Sequence, residues 1–368
     1  MSQRVRFLLL AIISASAVTL LAQSPSPSPA PSAIASPTPS PTPTAEMIID
    51  SMSSADLQQA IQLLKSNYIS PDALSETELD RAMLSGVLER LGPGVTIFAQ
   101  RAPQPNESTN PCYGELIEGH VGYIRLGALT PANLQALDVH LQNMRTKKVD
   151  AAVIDLRASP ATNDFNVAAE FAKRFVAKGK PLFTLRRVSS KQERAFTSDR
   201  EPAYGGLIIV LADNDTSGPA EAIAGVLRLH NKALVIGQPT TGQAVEFSDL
   251  PLNGGRILRV AVAEAVLPDG RSLFPGGVKP DLPVEISPID KRTVFQQSAE
   301  KGMSQFIFES ERPHLNEAAL LSGRNPELEA AEAAQRRRSN TPDKPTVRDP
   351  VLQRAIDVVT SLAIYQQR

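Results

Sequence analysis

Residues 213–243 read D-N-D-T-S-G-P-A-E-A-I-A-G-V-L-R-L-H-N-K-A-L-V-I-G-Q-P-T-T-G-Q. The run before them, G-L-I-I-V-L-A at 206–212, is short, continuous and apolar, the pattern of a strand buried on both faces. Gly218 is an acceptable helix N-cap, Pro219 fits the first helical position, and Glu221 in the first turn complements the helix dipole. A helix over 219–230 follows, then a second apolar strand at 233–236. A strand, a tight turn, a helix and another strand within about forty residues is the grammar of an α/β layered core.

The same alternation extends in both directions. Toward the N-terminus, strands are predicted at 121–126 and 151–156 (A-A-V-I-D-L), helices at 131–145 and 166–176, and a strand at 182–188. Toward the C-terminus come strands at 244–250 and 257–267, turned by Asn253-Gly254 and ended by Asp269-Gly270. A helical pair precedes the core. Ser53-x-x-Asp56 caps a helix carrying Leu57, Ile61, Leu64 and Tyr68, and Ser75-x-x-Glu78 caps one carrying Leu79, Met83, Val87, Leu88 and Leu91. Gly92-Pro93 stops the second.

Several of these segments carry a specific resemblance. The catalytic segment of the carboxyl-terminal processing (tail-specific) serine peptidases reads roughly S-A-S-A-S-E, a helix, then A-L-V-V-G-E-P-T-F-G-K-G, and residues 213–243 align with it without a gap. I-R-L-G, V-I-D-L-R, P-D-G-R-S and G-V-K-P-D follow the family's order, and N-Y-I-S-P with G-V-L-E-R-L-G-P resembles its N-terminal helices. R-D-P-V-L-Q-R-A-I-D-V-V at 348–359 resembles its closing segment, with Ile356, Val359 and Leu362 as a packing face. The resemblance covers residues 47–286. It implies a crotonase-like α/β peptidase core at 120–290, an N-terminal helical segment at 47–99 and a C-terminal helical tail at 291–368, with 336–349 as a loose linker. Members commonly insert a PDZ domain after the helical pair. Here only the loop 100–119 is available, which is too short for one.

The chemistry implied by the resemblance is a serine–lysine dyad, and this sequence departs from it. The family's nucleophilic serine lies three residues before the glutamate, at Gly218; its general-base lysine falls at Gln243. A carboxamide has essentially no basicity near neutral pH. The glutamine that orients the lysine falls at Phe247. The oxyanion motif D-L-R-G-N-P-G-G appears as D-L-R-A-S-P-A-T, with Ala161 and Thr162 where glycines would let backbone N–H groups turn toward substrate. Ser217 is a fallback nucleophile, but one residue at a helix start rotates a side chain by about 100°. The expectation is an inactive peptidase-like scaffold whose groove binds an extended peptide or envelope protein along strand edges near Ala161 and Thr240. The alternatives are an active peptidase using Ser217 and a structural protein with a closed groove.

Composition bounds the remainder. The chain has 368 residues, 42% hydrophobic and 21% charged, with net charge -1, which gives no reason to expect nucleic acid as a partner. The basic run Arg336-Arg337-Arg338 reads as a solvated helical face. The single cysteine, Cys112, is a buried small hydrophobe or an intermolecular thiol. His120, His140, His230 and His314 lack ligand spacing, Asp213 and Asp215 read as turn residues, and no cofactor or metal is expected. Residues 1–22 have the charged start, apolar run and small residue of an export signal, cleaved or kept as an anchor. Residues 23–46 form a Pro/Ser/Thr-rich spacer favouring polyproline II. The first of these segments carries the expectation of residence in the periplasm or cell envelope, and a membrane is expected only through it, if it is uncleaved.

Overall fold

The computed structural model describes residues 44–99, 110–160, 162–307 and 347–366. The leader at 1–22, residues 23–43 of the spacer, residues 100–109 of the loop, Ala161, His314 and the basic run at 336–338 lie outside the described residues. The chain divides into two units, one ending at Glu78 and one beginning at Leu79.

The first helices follow their caps. Thr44 accepts from Met47 N at 3.3 Å to start α1, Ala45–Ser51. Ser53 and Asp56 exchange hydrogen bonds as a capping box to start α2, Ser54–Asn67. Helix α3, Glu76–Leu91, carries Glu76 and Glu78 in its first turn, where they suit the dipole. No residue of α1, α2 or α3 is buried.

From Leu79 onward two sheets organise the chain. Strands β2 (Tyr113–Ile117), β3 (Val121–Arg125), β4 (Ala151–Asp155), β7 (Leu207–Ala212), β8 (Leu234–Gly237) and β11 (Leu282–Pro283) form one sheet in the order β11-β8-β7-β4-β3-β2. It is parallel except for β2, which runs antiparallel to β3. Every residue of β3 and β4 is buried because both faces are covered. Ile208, Val210 and Ile154 pack with helices α4 (Pro131–Lys147), α5 (Phe165–Ala172) and α6 (Pro219–Asn231) through Leu137, Phe171 and Ile223. Ile209, Leu211 and Val153 point the other way, onto Val294 of α7 (Pro288–Lys301) and Leu352, Ile356 and Val359 of α8 (Pro350–Gln366).

The second sheet is antiparallel and contains β1 (Val95–Ala99), β5 (Pro181–Arg187), β6 (Gln192–Thr197), β9 (Val245–Leu252) and β10 (Arg256–Val266). Strand β10 pairs with β1, β9 and β5, and β5 pairs with β6. The β9–β10 hairpin turns through Gly254 and Gly255 at φ 75 and 68, the left-handed region that Asn-Gly-Gly supplies.

The structure departs from the sequence reading in places that matter for the site. Residues 113–117, read as loop, are a strand, and 95–99, read as the end of a helical segment, are another. Asp349, assigned to a loose linker, is fully buried. Its carboxylate accepts from Arg157, which also pairs with Asp155, and all the ion-pair contacts are 2.7 Å between side chains with 0% exposure. Asp349 also accepts from Val351 N and Leu352 N, so it caps α8 and fastens it to the end of β4. Leu362, expected in the packing face of α8, is 38% exposed, whereas Ile356 and Val359 are buried. Burial opposes ionisation of Asp155, but Arg157 and the Tyr123 hydroxyl outweigh it and hold the carboxyl below its ordinary value.

Candidate functional site

The site grows from the turn between β7 and α6. Asp213 and Asp215 are held by Lys291 of α7, with Lys291 Nζ 2.6 Å from Asp213. Their charge is therefore met within the chain. Among the described residues no group of three His, Cys, Asp or Glu side chains is placed to hold a metal ion. Cys112 is partly buried, and burial pushes its thiol up to about 12, which leaves it protonated and unreactive.

Gly218 begins α6 at φ 59 and ψ -128, a conformation that L side chains rarely adopt. A β carbon there would lie 3.2 Å from Thr162 O and 3.7 Å from Gln243 O. The strained turn is thus present, and the residue that occupies it has no side chain.

Glu221, read from sequence as a dipole partner, has a longer reach. Fully buried, its carboxylate accepts from Gly218 N, Thr240 Oγ1, Thr241 Oγ1, Gly242 N and Gln243 N at 2.6–3.1 Å. It therefore locks residue 218 and the segment carrying Gln243 into one register. Burial pushes its carboxyl above the ordinary value, against the pull of those donors. Gly242 at φ 71 is needed where it stands, since a β carbon would meet Pro275 O at 1.9 Å.

The two turns face one open cleft of about 610 Å³. Gly218, Gln243, Ser217, Phe247, Thr162 and Asn163 line it, and Asp249, Arg259 and the Gly92-Pro93 turn complete its walls. Gln243 and Phe247 stand in the wall and leave the cleft open. Phe247 lies under the Arg259 guanidinium at 5.9 Å, and Arg259 also pairs with Asp249 at 2.7 Å. Thr162 Oγ1 is buried without a partner. Ser217 is 6% exposed, and among the described residues no lysine or histidine side chain hydrogen bonds its hydroxyl. Lys232 caps the far end of α6, and His230 Nε2 bonds to Pro181 O.

The structure thus brings Gly218, Gln243, Phe247 and Ser217 together, while Ala161 falls outside the described residues. The strand edge expected near Thr240 is already taken: Thr240 N donates to Val278 O, and Thr240 Oγ1 accepts from Val278 N. Sequence reasoning missed Asn163. Its Nδ2 donates to Phe247 O at 3.1 Å and its Oδ1 accepts from Phe247 N at 3.0 Å. Nothing local in the sequence signals a contact across 84 residues.

Residues 120–284 match the sequence pattern of peptidase family S41. The chain is 28% identical over 178 residues to a carboxy-terminal-processing protease of Bartonella bacilliformis, covering 46% of this chain and 40% of the relative. It is 26% identical over 251 residues to a chloroplastic carboxyl-terminal-processing peptidase of Arabidopsis thaliana, covering 64% and 50%. A solved photosystem II D1 C-terminal processing protease superposes with a TM-score of 0.40 at 20% identity, over 52% of this chain and 48% of that one. The chain therefore spans half or less of the length of these relatives.

Proposed function

We propose, from the match of residues 120–284 to peptidase family S41, that this chain is a member of that family that binds peptides without cleaving them. One observation carries the reading. The two turns that would present a nucleophile and a base are held face to face by Glu221, yet they offer Gly218 and Gln243 to the cleft. Acyl transfer needs a hydroxyl activated by a neighbouring base and donors aimed at the oxyanion. A glycine and a carboxamide supply neither the attacking atom nor the proton acceptor.

The finer parts of the reading are a crotonase-like core flanked by an N-terminal helical pair and a C-terminal helical tail, and no PDZ module in the short 100–119 segment. Export to the periplasm or envelope, guided by residues 1–22, and a spacer that ends before α1 begins at Ala45 complete it. The open cleft favours a binding role over a closed, purely structural one, because about 610 Å³ is within the range of ligand sites.

The second reading is proteolysis through Ser217, favoured by that residue's place in the same cleft wall. It lacks a base: neither Gln243 nor any described lysine or histidine reaches the hydroxyl.

The test incubates the full chain with a pool of fluorescein-labelled decapeptides, following binding by anisotropy and integrity by mass spectrometry. Binding with every peptide recovered intact is the expected result. Cleavage products that are absent from a heat-denatured control would sink the proposal.

A further inference from the structure

Strand β9 is bonded to a neighbouring strand along one side only, its sole strand partner among the described residues being β10. Backbone groups alternate sides along a strand. Ala244 O accepts from Ala265 N on the β10 side, so residues 245, 247, 249 and 251 turn theirs outward. Val245 N is satisfied within the chain by Gln243 O at 2.7 Å. Pro251 has no N–H to offer and so ends the usable edge. Between them lie Phe247 and Asp249, and both line the cleft with Gly218 and Gln243.

At Phe247 the outward N–H and C=O are both taken by the Asn163 carboxamide, at 3.0 and 3.1 Å. A carboxamide is one planar amide, an N–H donor beside a C=O acceptor, the same chemistry as a peptide group. Asn163 therefore stands where the backbone of an added strand would stand. Both bonds are solvent-exposed, so water competes for them and their net worth is small.

We propose that the outer edge of β9 at Phe247 and Asp249 is the docking edge for an extended peptide, and that the Asn163 side chain is the stand-in which the incoming backbone displaces. This rests on the peptide-binding reading of the cleft and adds where the peptide lies and what competes with it. The incoming chain forms main-chain bonds to Phe247 N–H and C=O, then to those of Asp249, and its continuation runs toward Gln243 and Gly218. Selectivity for an extended backbone follows from the pairing itself, as in other strand additions. Asn163 sets the threshold: any ligand must outbid two hydrogen bonds already made.

The test uses the full chain and a fluorescein-labelled (Ala-Val)₃ peptide, with an analogue N-methylated at every residue so that neither of its edges can donate, measured by anisotropy. Asn163→Ala removes the competitor, and affinity should rise about tenfold, the worth of one to two exposed hydrogen bonds. Asn163→Asp keeps the acceptor for Phe247 N–H and loses the donor, so its gain should be smaller. The N-methylated analogue should bind all forms weakly. In the wild type, bound peptide should slow amide hydrogen exchange within residues 245–251, a readout that does not depend on any variant folding. Equal affinity for wild type and Asn163→Ala, or unchanged exchange in that segment despite binding, would overturn the edge assignment and leave the peptide-binding reading standing. Absence of binding to every form would overturn both. A concentration-dependent dimer that protects β9 without peptide would also overturn the inference, because the edge would then belong to a second copy.

Discussion

Gly218→Ala puts the strain at the heart of the site to a quantitative test. The residue sits at φ 59 and ψ -128, and holding an L side chain in such a region costs about 1–3 kcal/mol. The new β carbon would press on Thr162 O at 3.2 Å, so that carbonyl must yield by a few tenths of an ångström. Against this, alanine restricts the unfolded chain and returns about 0.4–1 kcal/mol. The net expectation is destabilisation by about 1–2 kcal/mol, which at an m-value of about 2 kcal/mol/M lowers the urea midpoint by about 0.5–1 M. Gly86→Ala supplies the control. Gly86 lies within α3 with nothing within 4 Å of its β position and no left-handed φ, so alanine there should stabilise by about 0.5–1 kcal/mol. Urea unfolding of the three proteins, followed by far-UV circular dichroism, reads both signs in one experiment. Gly218→Ala as stable as wild type, alongside the expected gain at Gly86, would refute the claim that this turn holds a glycine-only conformation. Gly218→Ser carries the same strain and places its hydroxyl opposite Gln243, so it should also leave peptides uncleaved.

Two other perturbations test what surrounds the cleft. Asp349→Ala leaves the Arg157 guanidinium buried beside a single carboxylate and uncaps α8; breaking a buried pair costs about 3–5 kcal/mol, and the C-terminal segment should become the first site of limited proteolysis. An unchanged digestion pattern would contradict the role given to Asp349. Glu115 accepts from Met303 N, Ser304 Oγ and the Tyr113 hydroxyl; burial opposes its ionisation, but these donors win and hold its carboxyl below the ordinary value. A carboxyl depressed in the folded state contributes stability above its unfolded value, near about 4.3, and loses it as pH falls through the folded value. Glu115→Gln should therefore flatten the acid decline of the urea midpoint below about pH 5, and an unaltered slope would contradict the assignment.

What could be read from the sequence was local. The run at 207–212 followed by Gly218, Pro219 and Glu221 announces strand, turn and helix, because apolar continuity and capping chemistry are properties of neighbours. Strand β2 hid because Tyr113, Gly114 and Glu115 follow a Pro- and Asn-rich stretch and show no alternation. Gly114 is needed there for a tertiary reason, since a β carbon would meet His140 Nδ1 at 2.4 Å. Strand β6, Q-E-R-A-F-T, hid behind its charges, as edge strands do. At the site, position 218 and position 243 were identifiable, but the reason they meet was not. Glu221 looked sufficient as a helix-start residue, while its bonds to Thr240, Thr241, Gly242 and Gln243 depend on packing between distant segments. The same holds for Asn163 on Phe247 and Asp349 on Arg157, which no sequence window contains.

The central claim, that this cleft holds no working serine nucleophile, is tested most directly by intact-protein mass spectrometry after treatment with a fluorophosphonate. The account predicts an unmodified mass for wild type and for Ser217→Ala alike, since Ser217 has no base and Gly218 has no hydroxyl. A single adduct on the wild type that disappears in Ser217→Ala would contradict it.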